Sequence, residues 1–421
     1  MIYFVNATEK FVVVIFSFAS ANLLTQESFG LLSYSISVAH IIAVLSAFGT
    51  QGVYFREAAG LTQVERDGWK GKIITLYLFT VTLFFVVTSI YNYIWQAPAL
   101  FLIGVCLCIV LAGYATNLLV TDAIYSGATK TVYQAFALKL FASVMSVFIF
   151  YELNQKIELA TRLYFELFCA LICLIAILRP YPHLITDIFK NPFSVKFNKF
   201  QYFGFTMLSQ ASLIIFMSSD RILLAVLTDL NTVAEYSVLM YGMLPIFITS
   251  AIVSVLSKQF FSSYEQKREL SFVIINSYLI RLFPVFLVTF IVYVYIGRYL
   301  LSLILPDLYQ DVITIIPITC SILMLNYVFL VSTRAHHALR AAKTIFMLNI
   351  LGLIVNCGFL SITAQHYGFV SGAISTLIAY CVMTFVSTAI LAKKGIFHCL
   401  NLLIICLYIV TALCPVILME V

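Results

Sequence analysis

Residues 179–202 read Arg179-Pro180-Tyr181-Pro182-His183-Leu184-Ile185-Thr186-Asp187-Ile188-Phe189-Lys190-Asn191-Pro192-Phe193-Ser194-Val195-Lys196-Phe197-Asn198-Lys199-Phe200-Gln201-Tyr202. Pro180, Pro182 and Pro192 each remove a backbone donor and bias the preceding residue away from helix. With Arg179, Lys190, Lys196 and Lys199 they make a polar, basic connector close to the middle of the 421 residues. On both sides the chain is overwhelmingly apolar. It is 62% hydrophobic and 10% charged, with a mean hydropathy of +1.04. A soluble domain carries about 25% charged residues, so a soluble enzyme is excluded. A single-span receptor is excluded too, because no polar stretch is long enough to build an exterior domain.

A helix that crosses a bilayer needs roughly 20 apolar residues. Thirteen runs qualify: 1–24, 31–52, 73–95, 99–121, 131–151, 160–178, 203–227, 236–257, 272–297, 312–333, 345–364, 369–391 and 399–418. The first is interrupted by Glu9 and Lys10. It is expected to be a retained helix, because Glu9 cancels Lys10 in what would be the basic region of a leader. The fold class is therefore all-α: a polytopic membrane protein with 12 core transmembrane helices, and 399–418 as an extra thirteenth.

The loops alternate in charge. One set holds Arg56, Arg66, Lys70, Lys72, Lys130, Arg179, Lys190, Lys196, Lys199, Lys258, Lys267, Arg268, Arg334, Arg340, Lys343, Lys393 and Lys394; the other holds only Lys156 and Arg298. The excess of Lys and Arg marks the first set, and the N-terminus with it, as cytoplasmic. In a chain of this kind the sidedness of charge matters more than the net +6, and no nucleic-acid partner is implied. The ten cysteines all lie in apolar stretches, where the residue acts as a small hydrophobe; neither a metal site nor a disulfide framework is expected.

The halves on either side of the connector echo each other. Ala128-Thr129-Lys130-Thr131-Val132-Tyr133 matches Ala341-Ala342-Lys343-Thr344-Ile345-Phe346, 213 residues later. Leu24-Thr25-Gln26, with Tyr34-Ser35 following, matches Leu227-Thr228-Asp229, with Tyr236-Ser237 following, at an offset of 203. Six spans per half is an even number, so the repeat is parallel, about an axis along the membrane normal. The expected organisation is an N-terminal six-helix lobe over 1–178, a cytoplasmic linker over 179–202, a C-terminal six-helix lobe over 203–391 and the extra helix within 392–421. Two such lobes would enclose a cavity.

Several turns carry a family resemblance. Thr25-Gln26-Glu27-Ser28-Phe29-Gly30 resembles the acidic, aromatic-glycine turn that closes the first hairpin of bacterial polysaccharide exporters. Phe48-Gly49-Thr50-Gln51-Gly52 with Arg56-Glu57-Ala58 resembles their second-helix exit. Asp220-Arg221-Ile222-Leu223-Leu224, then Val233-Ala234-Glu235-Tyr236-Ser237, resembles their seventh helix and the turn after it. Leu305-Pro306-Asp307-Leu308-Tyr309-Gln310 and Tyr367-Gly368-Phe369-Val370-Ser371-Gly372-Ala373 resemble the turns before helices 10 and 12. In order and spacing the chain resembles the O-antigen flippases (Wzx type) of the multidrug/oligosaccharidyl-lipid/polysaccharide exporter superfamily. The thirteenth run and the abrupt start depart from the usual 12 helices.

The resemblance implies a translocase of the bacterial inner membrane. It would move an undecaprenyl-pyrophosphate-linked sugar repeat unit from the cytoplasmic to the periplasmic leaflet. It would work among membrane lipids, with a polymerase and chain-length proteins of the same pathway as partners. No cofactor is implied, and coupling would be to a proton or sodium gradient or to downstream consumption. A pyrophosphate cannot enter hydrocarbon without partners, so the path must offer cations and hydroxyl or amide groups.

Charged groups inside spans are costly and mark cavities or partners. Lys139 lies roughly 12 Å along the fifth run and Arg281 roughly 14 Å along the ninth, at 1.5 Å per residue. Arg281 has no acid at i±3 or i±4 and leads the substrate-binding candidates, with Lys139, Arg221 and Lys10. Asp220 and Arg221 point about 100° apart on a helix, so they are not expected to pair with each other. Arg162 and Glu166, four apart, share a face and read as a structural pair. Asp220, Glu166, Glu9 and His40 are the candidates for ion coupling. His336 and His337 fall in a basic loop and are expected to be solvated, and the buried asparagines to be glue between helices.

Two other functions compete. A cation-coupled multidrug-type exporter on the same fold would want a buried carboxylate in the first lobe, where Glu9 and Glu166 are the candidates. The five cations within or at the ends of spans, Lys10, Lys139, Arg162, Arg221 and Arg281, outnumber Glu9, Glu166 and Asp220, and favour an anionic cargo. A membrane polymerase or glycosyltransferase would need a large polar loop or an outer carboxylate cluster. The longest loop on the sparsely charged side, Arg298–Asp311, is too short for either.

Overall fold

The computed structural model describes residues 17–47, 62–95, 98–126, 158–178, 200–241, 268–292 and 298–396, with a few isolated positions besides. Among these, every regular element is helical, and the protein is an all-α polytopic membrane protein. After a helical stretch over residues 17–23 come α1 (Gln26–Ala47), α2 (Gln63–Trp95), α3 (Pro98–Ser126), α4 (Leu159–Leu178), α5 (Phe200–Leu227) and α6 (Leu230–Tyr241). Then follow α7 (Arg268–Val292), α8 (Arg298–Ile304), a 3-10 turn (Asp307–Tyr309), α9 (Gln310–Thr314), α10 (Ile316–Ala338), α11 (Ala342–Tyr367) and α12 (Phe369–Lys393). Six stretches within α1, α2, α5, α10, α11 and α12 are long and apolar enough to cross a membrane.

The side chains are sorted as lipid requires. The exposed face of α2 is a ladder of Leu78, Phe79, Leu83, Val86, Val87 and Ile90, which recur along one side of the helix. In water such a face would be a liability; against acyl chains it is the solvated surface. The interior holds small and hydroxylated residues, which let backbones approach and bond across helices. Ser332 of α10 and Ser387 of α12 meet at 2.8 Å. Gly352 of α11 lies where a Cβ would collide with the Met383 thioether of α12.

The chain forms two compact units. One takes in Leu23–Ser218, where α3 packs against α1, α2 and α4. The other takes in Ser219–Val421 together with Asn6–Asn22; within it α12 packs against α10, α11 and α6. Each unit opens a helix with the same turn. The Ser28 amide donates to Thr25 Oγ1 (3.3 Å) before α1, and the Thr232 amide donates to Asp229 Oδ1 (2.7 Å) before α6. Both are N-caps that satisfy an orphan donor. The two caps are 204 positions apart, one more than the offset of 203 read at the threonines, because an aspartate and not Thr228 does the capping in the second turn.

Three of the departures from the expected helix ends have a clear local cause. α2 begins at Gln63 and not near 73. Thr62 and Glu65 form a capping box: the Thr62 amide donates to Glu65 Oε2 (2.9 Å) and the Glu65 amide to Thr62 Oγ1 (3.4 Å). Lys70, assigned from sequence to a cytoplasmic loop, is consequently helical and fully buried, ion-paired to Asp67 at 2.6 Å. α10 runs on to Ala338, so His336 and His337 are helical and not in a loop. His336 is fully buried, with Nε2 3.1 Å from Ser387 Oγ; nothing in the run Val331–Ala338 breaks the helix, which stops before Arg340 at φ 55°. The segment Arg298–Asp311, read as a loop, is α8, the 3-10 turn and the start of α9, with Tyr309 fully buried beneath it.

Runs 131–151 and 399–418, the first run through residue 16 and most of the 179–202 connector lie outside the described residues, as does the Ala128–Tyr133 half of the first sequence echo.

Candidate functional site

The site is built on α5, where Asp220 and Arg221 follow each other. Successive helical side chains diverge by about 100°, so the two charges cannot close on one another and each must find partners elsewhere. Asp220 is 2% exposed. Its Oδ2 accepts from the Tyr236 hydroxyl of α6 at 2.5 Å and from Thr376 Oγ1 of α12 at 2.9 Å. Its Oδ1 accepts from Asn356 Nδ2 of α11. One carboxylate thus ties four helices together. Tyr236 and Thr376 also meet each other at 3.2 Å, and the Oδ1 of Asn356 is buried with no hydrogen-bond partner.

Arg221 is held differently. Its Nε donates to Ser237 Oγ of α6 at 3.2 Å, and the guanidinium lies 5.8 Å from the Tyr236 ring centroid and 5.7 Å from that of Tyr241. These distances permit cation–π attraction. Among the described residues its Nη groups have no ion-pair or hydrogen-bond partner. Beneath both charges, Leu224, Val233, Tyr236, Leu360 and Ala364 form a buried apolar cluster that fixes α5, α6 and α11.

The arrangement can do two things chemically. The Asp220 carboxylate, the Asn356 amide oxygen and the Thr376 and Tyr236 hydroxyls form an oxygen-rich set. Such a set suits a proton or a hard cation such as sodium. No group of three or more His, Cys, Asp or Glu side chains that could hold a metal occurs among the described residues. The Arg221 fork, fixed at Nε and open at both Nη, suits a bidentate anion such as a phosphate.

The remaining sequence candidates are scattered. Arg281 is on an exposed face of α7, three positions before Pro284, and makes no ion pair or hydrogen bond among the described residues. Arg162 and Glu166 of α4 form an ion pair with the arginine buried, as their spacing implies. His40 Nδ1 of α1 lies 3.1 Å from the Tyr114 hydroxyl of α3. Glu9, Lys10 and Lys139 lie outside the described residues. The sequence singles out Asp220 and Arg221 as charges in a span, offers the asparagines only as glue between helices, and marks neither Tyr236 nor Thr376 as a partner. The one available signal was positional: Tyr236-Ser237 follow the turn after Asp220-Arg221 within the same family-like series.

No protein-family model matches the chain, and no curated protein matches it in sequence. Solved structures do match its fold over nearly the full length. A MATE transporter in the bent conformation superposes with a TM-score of 0.62 at 15% identity, covering 97% of this chain and 95% of its own. A transporter of the MOP superfamily from Pyrococcus furiosus gives 0.59 at 15% identity, with 94% of each chain covered. The lipid II flippase MurJ, in its inward closed conformation, gives 0.59 at 14% identity, with 99% of this chain and 89% of its own covered. The chain shares its fold with these solved structures.

Proposed function

We propose that the protein is a flippase for a lipid-linked oligosaccharide, carrying an undecaprenyl-pyrophosphate sugar repeat unit from the cytoplasmic to the periplasmic leaflet by alternating access. The fold is shared by multidrug transporters and a lipid flippase alike, so the choice between them rests on this chain's own charges. The observation that carries it is the open guanidinium fork of Arg221 beside a fully bonded Asp220. A cationic drug would be repelled by that fork, whereas a pyrophosphate would fill it. Arg281, with no acid partner among the described residues, adds to the same excess of positive charge. The first-unit carboxylate that a multidrug exporter would use is not free in α4, because Glu166 is paired with Arg162.

In this reading Arg221 grips the pyrophosphate, with Arg281, Lys139 and Lys10 as further cations along the path. Asp220 is the coupling group, taking a proton or a sodium ion with Asn356 and Thr376 as co-ligands. Glu9 and His40 are secondary candidates for coupling. The bacterial inner membrane and the polysaccharide pathway are the setting this cargo requires.

The test is complementation of a strain lacking the gene, with membrane abundance measured in parallel. The deletion should abolish surface polysaccharide and leave sugar-loaded carrier on the inner leaflet. Arg221→Ala should fail to restore export at normal abundance, and Arg221→Lys should restore part. Normal long-chain polysaccharide in the deletion, with no second flippase present, sinks the reading.

A further inference from the structure

Asp220 and Arg221 are neighbours in sequence without contact between their charged ends, yet one side chain touches both. Tyr236 donates its hydroxyl to Asp220 Oδ2 at 2.5 Å and presents its ring to the Arg221 guanidinium at 5.8 Å. We infer that Tyr236 is the positioning residue through which ion binding at Asp220 and anion binding at Arg221 sense each other. The inference rests on the proposed flippase reading and adds to it the device that links cargo to coupling ion.

Three features make Tyr236 suited to this. First, it has no slack. The side chain is fully buried, and a Cβ added at Gly372 of α12 would fall 2.9 Å from its ring and 3.1 Å from Leu224. A displacement of the hydroxyl is therefore a displacement of the ring.

Second, the bond to Asp220 is conditional on charge. A hydroxyl donated to a carboxylate is short and charge-assisted; a proton or cation on Oδ2 removes that advantage. The hydroxyl already has a second partner, Thr376 Oγ1 at 3.2 Å, to which it can turn. A phenol bonded to a carboxylate also carries more electron density in its ring, which strengthens its hold on a cation. Neutralising Asp220 weakens that hold and removes a nearby negative charge, and both effects favour an anion at the Arg221 fork.

Third, the rest of the clamp is on the same helix. Ser237 takes the Arg221 Nε and Tyr241 supplies the second ring, so α6 carries every described contact of the guanidinium. Positions 236, 237 and 241 fall within about 140° of one helix side. A shift of Tyr236 therefore changes the Arg221 clamp as a whole.

The sign follows: an ion at Asp220 raises anion affinity at Arg221, and reciprocally the anion raises ion affinity. The test measures binding of inorganic pyrophosphate to the purified full-length protein. One arm is a sodium series at fixed pH and ionic strength; the other is a pH series without sodium. The wild type should bind pyrophosphate about fivefold or more tightly when the effective ion is present, the lower end of ordinary coupling. Tyr236→Phe keeps the ring and loses the hydroxyl. It also removes one oxygen beside Asp220, so ion binding itself should weaken; with each ion series carried to saturation, the linkage should fall to within about twofold of none. Ser237→Ala should weaken pyrophosphate binding and keep the linkage.

Wild-type linkage persisting in Tyr236→Phe overturns the proposal, as does a wild type whose pyrophosphate binding ignores both ions. If Tyr236→Phe does not fold, Gly372→Ala tests the same claim, because its methyl group must displace the ring; unchanged linkage there also overturns it. The failures of the two readings look different. Ion dependence surviving in Asp220→Asn, or undiminished pyrophosphate binding in Arg221→Ala, removes the underlying site assignment and not merely the link.

Discussion

Arg162–Glu166 and Asp220–Arg221, one in each unit, behave in opposite ways. Arg162 and Glu166 of α4 are four residues apart, so the helix stacks them on one face and they close on each other. Asp220 and Arg221 of α5 are adjacent, so the helix splays them. The carboxylate then draws donors from α6, α11 and α12, and the guanidinium is held by aromatic faces with its fork left open. Spacing alone converts the same two residue types from a self-contained brace into two separate sites.

Perturbing Asp220 should have the largest effect. Asp220→Ala strands the Tyr236, Thr376 and Asn356 donors together, and each buried unsatisfied group costs roughly 1–3 kcal/mol. Thermal unfolding in detergent should fall well below wild type and export should be lost. Asp220→Asn, which keeps the shape, should fold and still reduce export by about tenfold or more, since hydrogen bonds to a charged group contribute roughly 1.5–3 kcal/mol. Export at the wild-type level in Asp220→Asn would mean that this carboxylate is also just a brace.

Arg221→Ala comes next: export lost with abundance little changed, because among the described residues its Nη groups bond to no other helix. A fall in abundance matching the fall in export would make Arg221 structural and erase the contrast. Smaller still are the two caps. Thr25→Ala and Asp229→Ala should each cost about 1 kcal/mol in thermal stability. The Asp229 variant should also lower pyrophosphate binding, because α6 carries the Arg221 clamp. Equal effects of both caps on binding would contradict this. The smallest effect is expected for the double variant Arg162→Met with Glu166→Met. Replacing a buried ion pair by apolar residues of similar volume is often neutral, so export should stay within about twofold of wild type. Loss of export in that variant would promote the α4 pair to function.

Most of the fold was legible in apolar runs, since lipid dictates both helix and length. The runs were least informative where polar residues belong to helices. Lys70 is a cation a loop should own, yet a capping box starts α2 eight positions before it. His336 looks like a solvated residue and is buried because nothing stops α10 before Arg340. For the site, the sequence offered Asp220 and Arg221 as charges in a span and the argument that they would not pair. It offered no route to their partners. Tyr236 is 16 residues away, Asn356 is 136 and Thr376 is 156, and in a chain rich in such residues no periodicity links them. Arg281, ranked first for its depth and lack of a local acid, lies on an exposed helix face, which depth along a helix cannot foretell.

The stretch ending at Asn22 belongs with the unit that is completed last. Asn22 Nδ2 donates to the carbonyl of Ile304, at 3.1 Å and 282 residues downstream. At a synthesis rate of roughly 5–20 residues per second, that acceptor is made some 15–60 seconds after the amide that needs it. The Asn22 amide must therefore wait with only its local acceptor, the Phe18 carbonyl at 2.9 Å, until the last third of the protein arrives. Slowing the ribosome between the codons for Asn22 and Ile304 prolongs that wait. A membrane protease that reads polar groups in lipid would have its opening then, before the second unit closes on its own first helix.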